Sequence, residues 1–343
     1  MTKNTRLFLW LAGGVIVLGV ATGLVVSYSG SSALAGAVAK EPSELGFIPV
    51  DARLVAFVDV RAWMQSEFHQ AWRGQPSGEQ DADEVLGQLG LDLETDIDSV
   101  LVSAGGIPSG SGLGELLVLV RGRLDETRIE QQVVRESGGR PSEYQGRRLV
   151  QYIGPGQEET AVAFMEPGLL GLGSIRAIHQ AIDLAEGGEA LTANDEVMRL
   201  VGGVIGGHAW AVGRFGALAN QVGLPQNTAG QLSSLDWGWF SASGRVTDAL
   251  DGAIQVEAAD AEGAANLRDV VQGFVALAKL QAGAMPGVTE IVNSVQLTTQ
   301  GTAVSLSFAV PASAASLIGS LPSYPTAVPT TGSSGVSPTH PAQ

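Results

Sequence analysis

"VSAGGIPSGSGLGELLVLV" runs from Val102 to Val120. Five glycines fall within the ten residues Gly105 to Gly114, between two apolar runs. A glycine loop that cradles a phosphate must lead from a strand into a helix, because the helix N-terminus supplies the oriented N–H groups. Here the glycines lead into "ELLVLV", Glu115 to Val120, a run of strand length, and no Gly-Lys-Ser/Thr follows. The loop is therefore predicted to join two antiparallel strands. The remaining reading is a mobile binding loop.

The neighbouring segments carry the same signals. Leu54 to Val60 reads as a strand that is buried or half-buried, running into a helical stretch with Trp63, Met64 and Phe68. An acidic helix is expected over Glu79 to Leu91, and strands over Ser99–Ser103 and Glu115–Arg121. Asp125 can cap a helix over Glu126–Glu136 that places Ile129 and Val133 on one face. Glu143–Ile153, Thr160–Met165 and Leu169–Gly173 read as three strands, with a Pro167–Gly168 turn before the last. Ser174 caps a helix with Ile175, Ile178, Ile182 and Ala185 on one stripe, ended by Gly187–Gly188.

The second half replays the first. "LVAFVDVRAWM" (Leu54–Met64) is similar to "AWAVGRFGAL" (Ala209–Leu218), and "LVSAGG" (Leu101–Gly106) to "WFSASG" (Trp239–Gly244). A strand over Gly252–Ala258 and a long helix over Glu262–Ala282 follow. Val288–Thr299 and Ala303–Val310 are then expected to form a hairpin around Gln300–Gly301, and Ala312–Leu321 a closing helix. The pattern is an old duplication with one extra strand in the first half. The predicted fold is α+β, two related halves of mainly antiparallel sheet with helices packed on one face. Alternation of Val304, Leu306, Phe308 and Val310 with Ser305, Ser307 and Ala309 supports one covered face.

Composition narrows the function classes. The chain has 343 residues, 45% hydrophobic and 16% charged, which is ample material for a core. Its formal net charge of -16 opposes binding to nucleic acid or to anionic lipid headgroups. It has no cysteine, which excludes disulfides, thiolate zinc sites and cysteine nucleophiles.

Leu7 to Tyr28 is a 22-residue run without charge, about 33 Å long as a helix and enough to cross a hydrocarbon core. Lys3 and Arg6 precede it, so residues 1–6 are expected in the cytoplasm and the body outside, on the periplasmic side of a bacterial inner membrane. The alternative is a signal peptide cleaved after about Ala39, within "ALAGAVA". Residues 29–45 read as a linker, 46–204 and 205–321 as the two halves, and 322–343 as a Pro/Ser/Thr-rich tail expected to stay disordered.

Motifs that carry chemistry are missing. No G-x-S-x-G elbow is present, and Lys279 lies within a helix where a solvated role is ordinary. His69, His179 and His208 read as surface or hydrogen-bonded core residues, and His179 with Asp183 as a helix-surface pair. "DADE" (Asp81–Glu84) and "ETDID" (Glu94–Asp98) lack the order of a calcium loop, and read as a helix start and a turn before a strand. No catalytic, cofactor-binding or metal site is assigned. Trp237 and Trp239, at i and i+2 on one strand, would form a partner surface if exposed and core if buried.

"PVDARLVAFVDVRAWM" (Pro49–Met64), "RGRLDETRI", "YQGRRLV" and "LLGLGSIRAIHQAID" together resemble a bacterial family of membrane-anchored extracytoplasmic proteins of unknown function, over residues 45–320. The resemblance implies strand and turn signatures and no reaction or ligand. The expectation is an anchored binding or scaffold protein of the envelope, without catalysis, with a protein partner. The alternatives are a carrier or sensor of an apolar small molecule or lipid, and a carboxylate-dependent hydrolase.

Overall fold

The computed structural model describes residues 41–72, 87, 89–105, 116–154, 159–214, 237–282 and 286–314. Twelve strands form one sheet: β1 (Leu54–Asp59), β2 (Ile97–Ala104), β3 (Leu116–Gly122), β4 (Arg140–Tyr144), β5 (Arg147–Ile153), β6 (Glu159–Glu166), β7 (Leu169–Ser174), β8 (Ala209–Arg214), β9 (Trp237–Val246), β10 (Ala249–Ala258), β11 (Gln296–Gln300) and β12 (Ala303–Pro311). Their order is β11-β12-β10-β9-β8-β1-β2-β3-β7-β6-β5-β4, and every pairing is antiparallel. The helices are α1 (Val60–Gln65), α2 (Glu67–Trp72), α3 (Glu126–Ser137), α4 (Ile175–Ala185), α5 (Asp195–Val204), α6 (Ala261–Ala282) and α7 (Pro286–Asn293), with a 3-10 turn at Ser43–Phe47.

The glycine-rich loop joins two antiparallel strands. Ser103 faces Leu117 and Ala104 faces Leu116 across β2 and β3. Residues 106–115 themselves lie outside the described residues.

Strand order runs alike on both sides of the β1–β8 pair, where Ala56 faces Ala211. Outward from β1 come β2, β3, β7 and β6; outward from β8 come β9, β10, β12 and β11. The first half carries two further strands, not one. Glu143–Ile153 is not a single strand but the hairpin of β4 and β5. Its turn residues Gln145 and Gly146 have φ of 49° and 76°, the two positive values that a type I′ hairpin turn requires. Gln145–Gly146 is a weaker form of the Asn-Gly signal, and glutamine rarely adopts this conformation.

Helices cover both faces of the sheet rather than one. On one face, Ile129 and Val133 of α3 and Ala264 and Leu267 of α6 pack against Val118, Val120, Val150, Val256 and Val304. On the other, α4 (Ile178, Ile182), α5 (Val197, Val201) and the 43–47 turn (Leu45, Phe47) cover Leu117, Leu119, Ala163 and Val212. The physical reason lies in β3, where Leu116 to Val120 are all buried. A strand covered on both sides is apolar at every position rather than at alternate ones.

Two segments depart from the periodicity-based reading. Pro286–Asn293 is a helix with Ile291 and Val292 at 1% exposure, so of the expected Val288–Thr299 strand only residues 296–299 belong to the sheet, in a strand that ends at Gln300. Its apolar residues Val288, Ile291 and Val292 follow an i, i+3, i+4 spacing. The sequence reading also carries no helix at Asp195–Val204. There Asn194 accepts from the Val197 N–H at 3.2 Å, and Val197, Leu200, Val201 and Val204 form the buried stripe. The expected closing helix begins as a 3-10 turn at Ala312–Ala314, and its remainder lies outside the described residues.

Candidate functional site

Among the described residues, α6 is a feature that the fold presents with an uncovered apolar side. Asp260 starts it, accepting from the Gly263 N–H at 2.7 Å. Its underside is fixed by Ala264, Leu267 and the partly buried Val271, which lie over Val256, Ala258 and Val304, and by Ala278, which meets the cluster around Ile291 and Val292. At 3.6 residues per turn, these positions occupy an arc of less than about 100°, which is what packing on one layer needs.

The apolar surface of α6 extends well beyond that arc. Val270, Phe274, Leu277 and Leu280 are 43%, 50%, 51% and 82% exposed. Spaced at i, i+4, i+7 and i+10, they form a second stripe beside the buried one, and the two together span about 200° of the helix. Arg268, Asp269, Gln272 and Lys279 occupy the remaining side. A large exposed apolar side chain is common singly; four in one stripe make a contiguous apolar patch.

Trp239 is not part of any exposed aromatic surface. It is 5% exposed, belongs to the core beneath α5, and carries the Arg214 guanidinium 4.2 Å above its ring. β9 turns this face inward, and the charged cap closes what remains. The Trp237 side chain lies outside the described residues.

The polar residues singled out in the sequence have structural partners. His179 stacks on Tyr144 at 3.8 Å with an interplanar angle of 6°. Asp183 accepts from the Tyr144 hydroxyl at 3.0 Å and from the Gln145 amide, so α4 holds the tip of the β4–β5 hairpin. His208 accepts at Nδ1 from the Val246 N–H at 3.2 Å, and His69 is buried against Trp63. In the Glu94–Asp98 stretch, Asp92 accepts from the Thr95 N–H and Asp96 from the Asp92 N–H, closing a turn before β2; Asp98 pairs with Arg61. Asp81–Glu84 lies outside the described residues. Among the described residues, no three metal-ligating side chains cluster.

Arg121 of β3 bridges two carboxylates, Glu44 of the 43–47 turn and Glu166 of β6. Burial works to lower its pKa, and the hydrogen bonds and charges of Glu166 and Glu44 outweigh that and raise it. The two carboxylates thus face a cation rather than an open cleft. A cavity of about 40 Å³ lies where Val58, Trp63, Ala211, Ala242, Leu250 and Phe308 meet. That is far below the roughly 300–1,000 Å³ of a small-molecule pocket.

No family model and no curated protein matches the chain. Among solved structures, two crystal forms of TP0453 are similar to it. Form I aligns with a TM-score of 0.45 at 10% identity, over 82% of this chain and 98% of that one. Form IV aligns with a TM-score of 0.44 at 10% identity, over 84% and 100%. Among the described residues, no helix is long and apolar enough to cross a membrane; Leu7–Tyr28 lies outside them.

Proposed function

We propose that this protein is an envelope-held binding protein. A helix over Leu7–Tyr28 keeps the body on the outer side of the cytoplasmic membrane, and α6 engages another envelope component. The exposed stripe of Val270, Phe274, Leu277 and Leu280 carries this reading. A helix that only needed to pack on its sheet would place polar residues at these four positions. Binding rather than catalysis is favoured because the polar groups at hand are engaged with one another: Arg121 with two carboxylates, Asp183 with Tyr144 and Gln145. The 40 Å³ cavity between Val58 and Phe308 is too small to hold a lipid tail.

The test is a photo-crosslinking residue at position 277 of the full chain in native envelopes, compared with one at Gln272 on the polar side. Products with a protein or lipid that form at 277 and not at 272 are the expected result. Equal yields at the two positions would remove α6 as the binding surface.

A further inference from the structure

We propose that the exposed arc of α6 rests on the lipid surface of the bilayer that holds the N-terminal helix. This rests on the reading above and names the component that α6 engages. The stripe is apolar along about three turns, and α6 is not a membrane-spanning helix. A helix of this kind lies along an interface with its apolar side in the acyl boundary. Its charges balance, Glu262 and Asp269 against Arg268 and Lys279, in a chain of net charge -16. Adhesion therefore comes from burial of the stripe and from tethering, not from attraction to anionic lipid.

The length of chain before the body agrees with this placement. The body begins at the 43–47 turn, which Glu44 ties to β3 on the face opposite α6. From β3 to β12, beneath α6, the sheet steps six strands, about 29 Å. Layers spaced about 10 Å apart put the turn at most roughly 25 Å above the outer rim of α6, and strand twist across the sheet brings it lower. With α6 on the membrane, residue 43 then lies within about 40 Å of the point beneath α6 on the lipid surface. The 14 residues from Ser29 to Pro42 reach about 46–50 Å when extended, enough to span it.

The absence of cysteine makes the test direct. Single cysteines placed at 17, 272, 277 and 280 are labelled with an environment-sensitive fluorophore. The full chain is reconstituted into phosphatidylcholine vesicles carrying a nitroxide-labelled lipid. Quenching at 277 and 280 is expected to exceed that at 272 by at least about twofold, and to change little when phosphatidylserine is added. Phe274→Glu, at an exposed site that the core does not need, should abolish quenching at 280.

Quenching at 17 with 277 and 280 no different from 272 overturns the inference and leaves the anchored binding protein standing. So does a protein crosslinked at 277 in envelopes without quenching in vesicles, which assigns the stripe to that protein. Failure of quenching at position 17 overturns the anchor and this inference with it.

Discussion

Arg121 and Glu44, 77 positions apart in sequence, form an ion pair that fastens the start of the folded chain to the sheet. The same guanidinium donates to Glu166 at 2.6 Å. Glu44 is 5% exposed, so its carboxylate depends on this partner.

Arg121→Met is expected to lower stability by about 2–3 kcal/mol, because it leaves a carboxylate buried without its cation. The measurement is the urea midpoint at unchanged slope. The pKa of Arg121 is raised in the fold, so its contribution is complete below its unfolded value and is lost only as pH rises through the folded one. The loss should therefore be constant from about pH 6 to about pH 9. A midpoint that does not move would show that the pair is incidental.

Trp239→Ala should cost about 3–5 kcal/mol, as for a large core aromatic. Arg214→Ala should cost less, about 0.5–2 kcal/mol, since it removes the cation above the ring and an exposed ion pair with Glu196 but no core volume. Thermal unfolding of both variants checks the order. A stable Trp239→Ala protein with impaired binding would restore the tryptophan as a partner surface.

Two glycines are expected to respond in opposite directions to alanine. At Gly252 a Cβ would stand 2.1 Å from Phe308 Cζ, its direct cross-strand neighbour, so Gly252→Ala should destabilise by about 1–3 kcal/mol. Phe308→Leu in the same chain should relieve part of that cost, which a double-mutant cycle measures. At Gly202, in α5, a Cβ meets nothing within 4 Å, and Gly202→Ala should stabilise by about 0.5–1 kcal/mol. Equal effects at the two sites would contradict the packing of Phe308 over Gly252.

Asp251 has its pKa raised by burial first and by Asp248 second, with Arg245 opposing. A carboxyl raised above its unfolded value disfavours the fold when ionised, so stability improves as pH falls through the folded pKa toward the unfolded one. Asp251→Asn should stabilise by about a few tenths of a kcal/mol at neutral pH, a small gain because the residue is largely exposed. That gain should fade in the acidic range. Urea midpoints of both proteins across pH decide it, and a gain that persisted in acid would reject the cause.

Much of the sheet was legible because strands and turns are local. The alternation at Val304 to Val310, the Asp125 and Ser174 caps and the strand-length run after the glycine loop all sit in the sequence as short patterns, and the structure places β12, α3, α4 and β3 there. The cap of α5 and the spacing of α7 were present too, at Asn194 and at Val288, Ile291 and Val292. An apolar run of that length reads equally as strand or helix until its neighbours are known. The candidate site was not legible. Val270, Phe274, Leu277 and Leu280 sit among other apolar residues of α6, and the sequence does not say which of them the sheet covers.

What the sequence alone determined is whatever depends on a few adjacent residues: the antiparallel hairpins, the helix starts, and the expectation of an oily run at Leu7–Tyr28. Only the tertiary structure decided that helices lie on both faces, that Trp239 is core, and that one side of α6 is left bare. Burial is a sum over neighbours far apart in the chain, as Glu44 beside Arg121 illustrates, and no local pattern carries that sum.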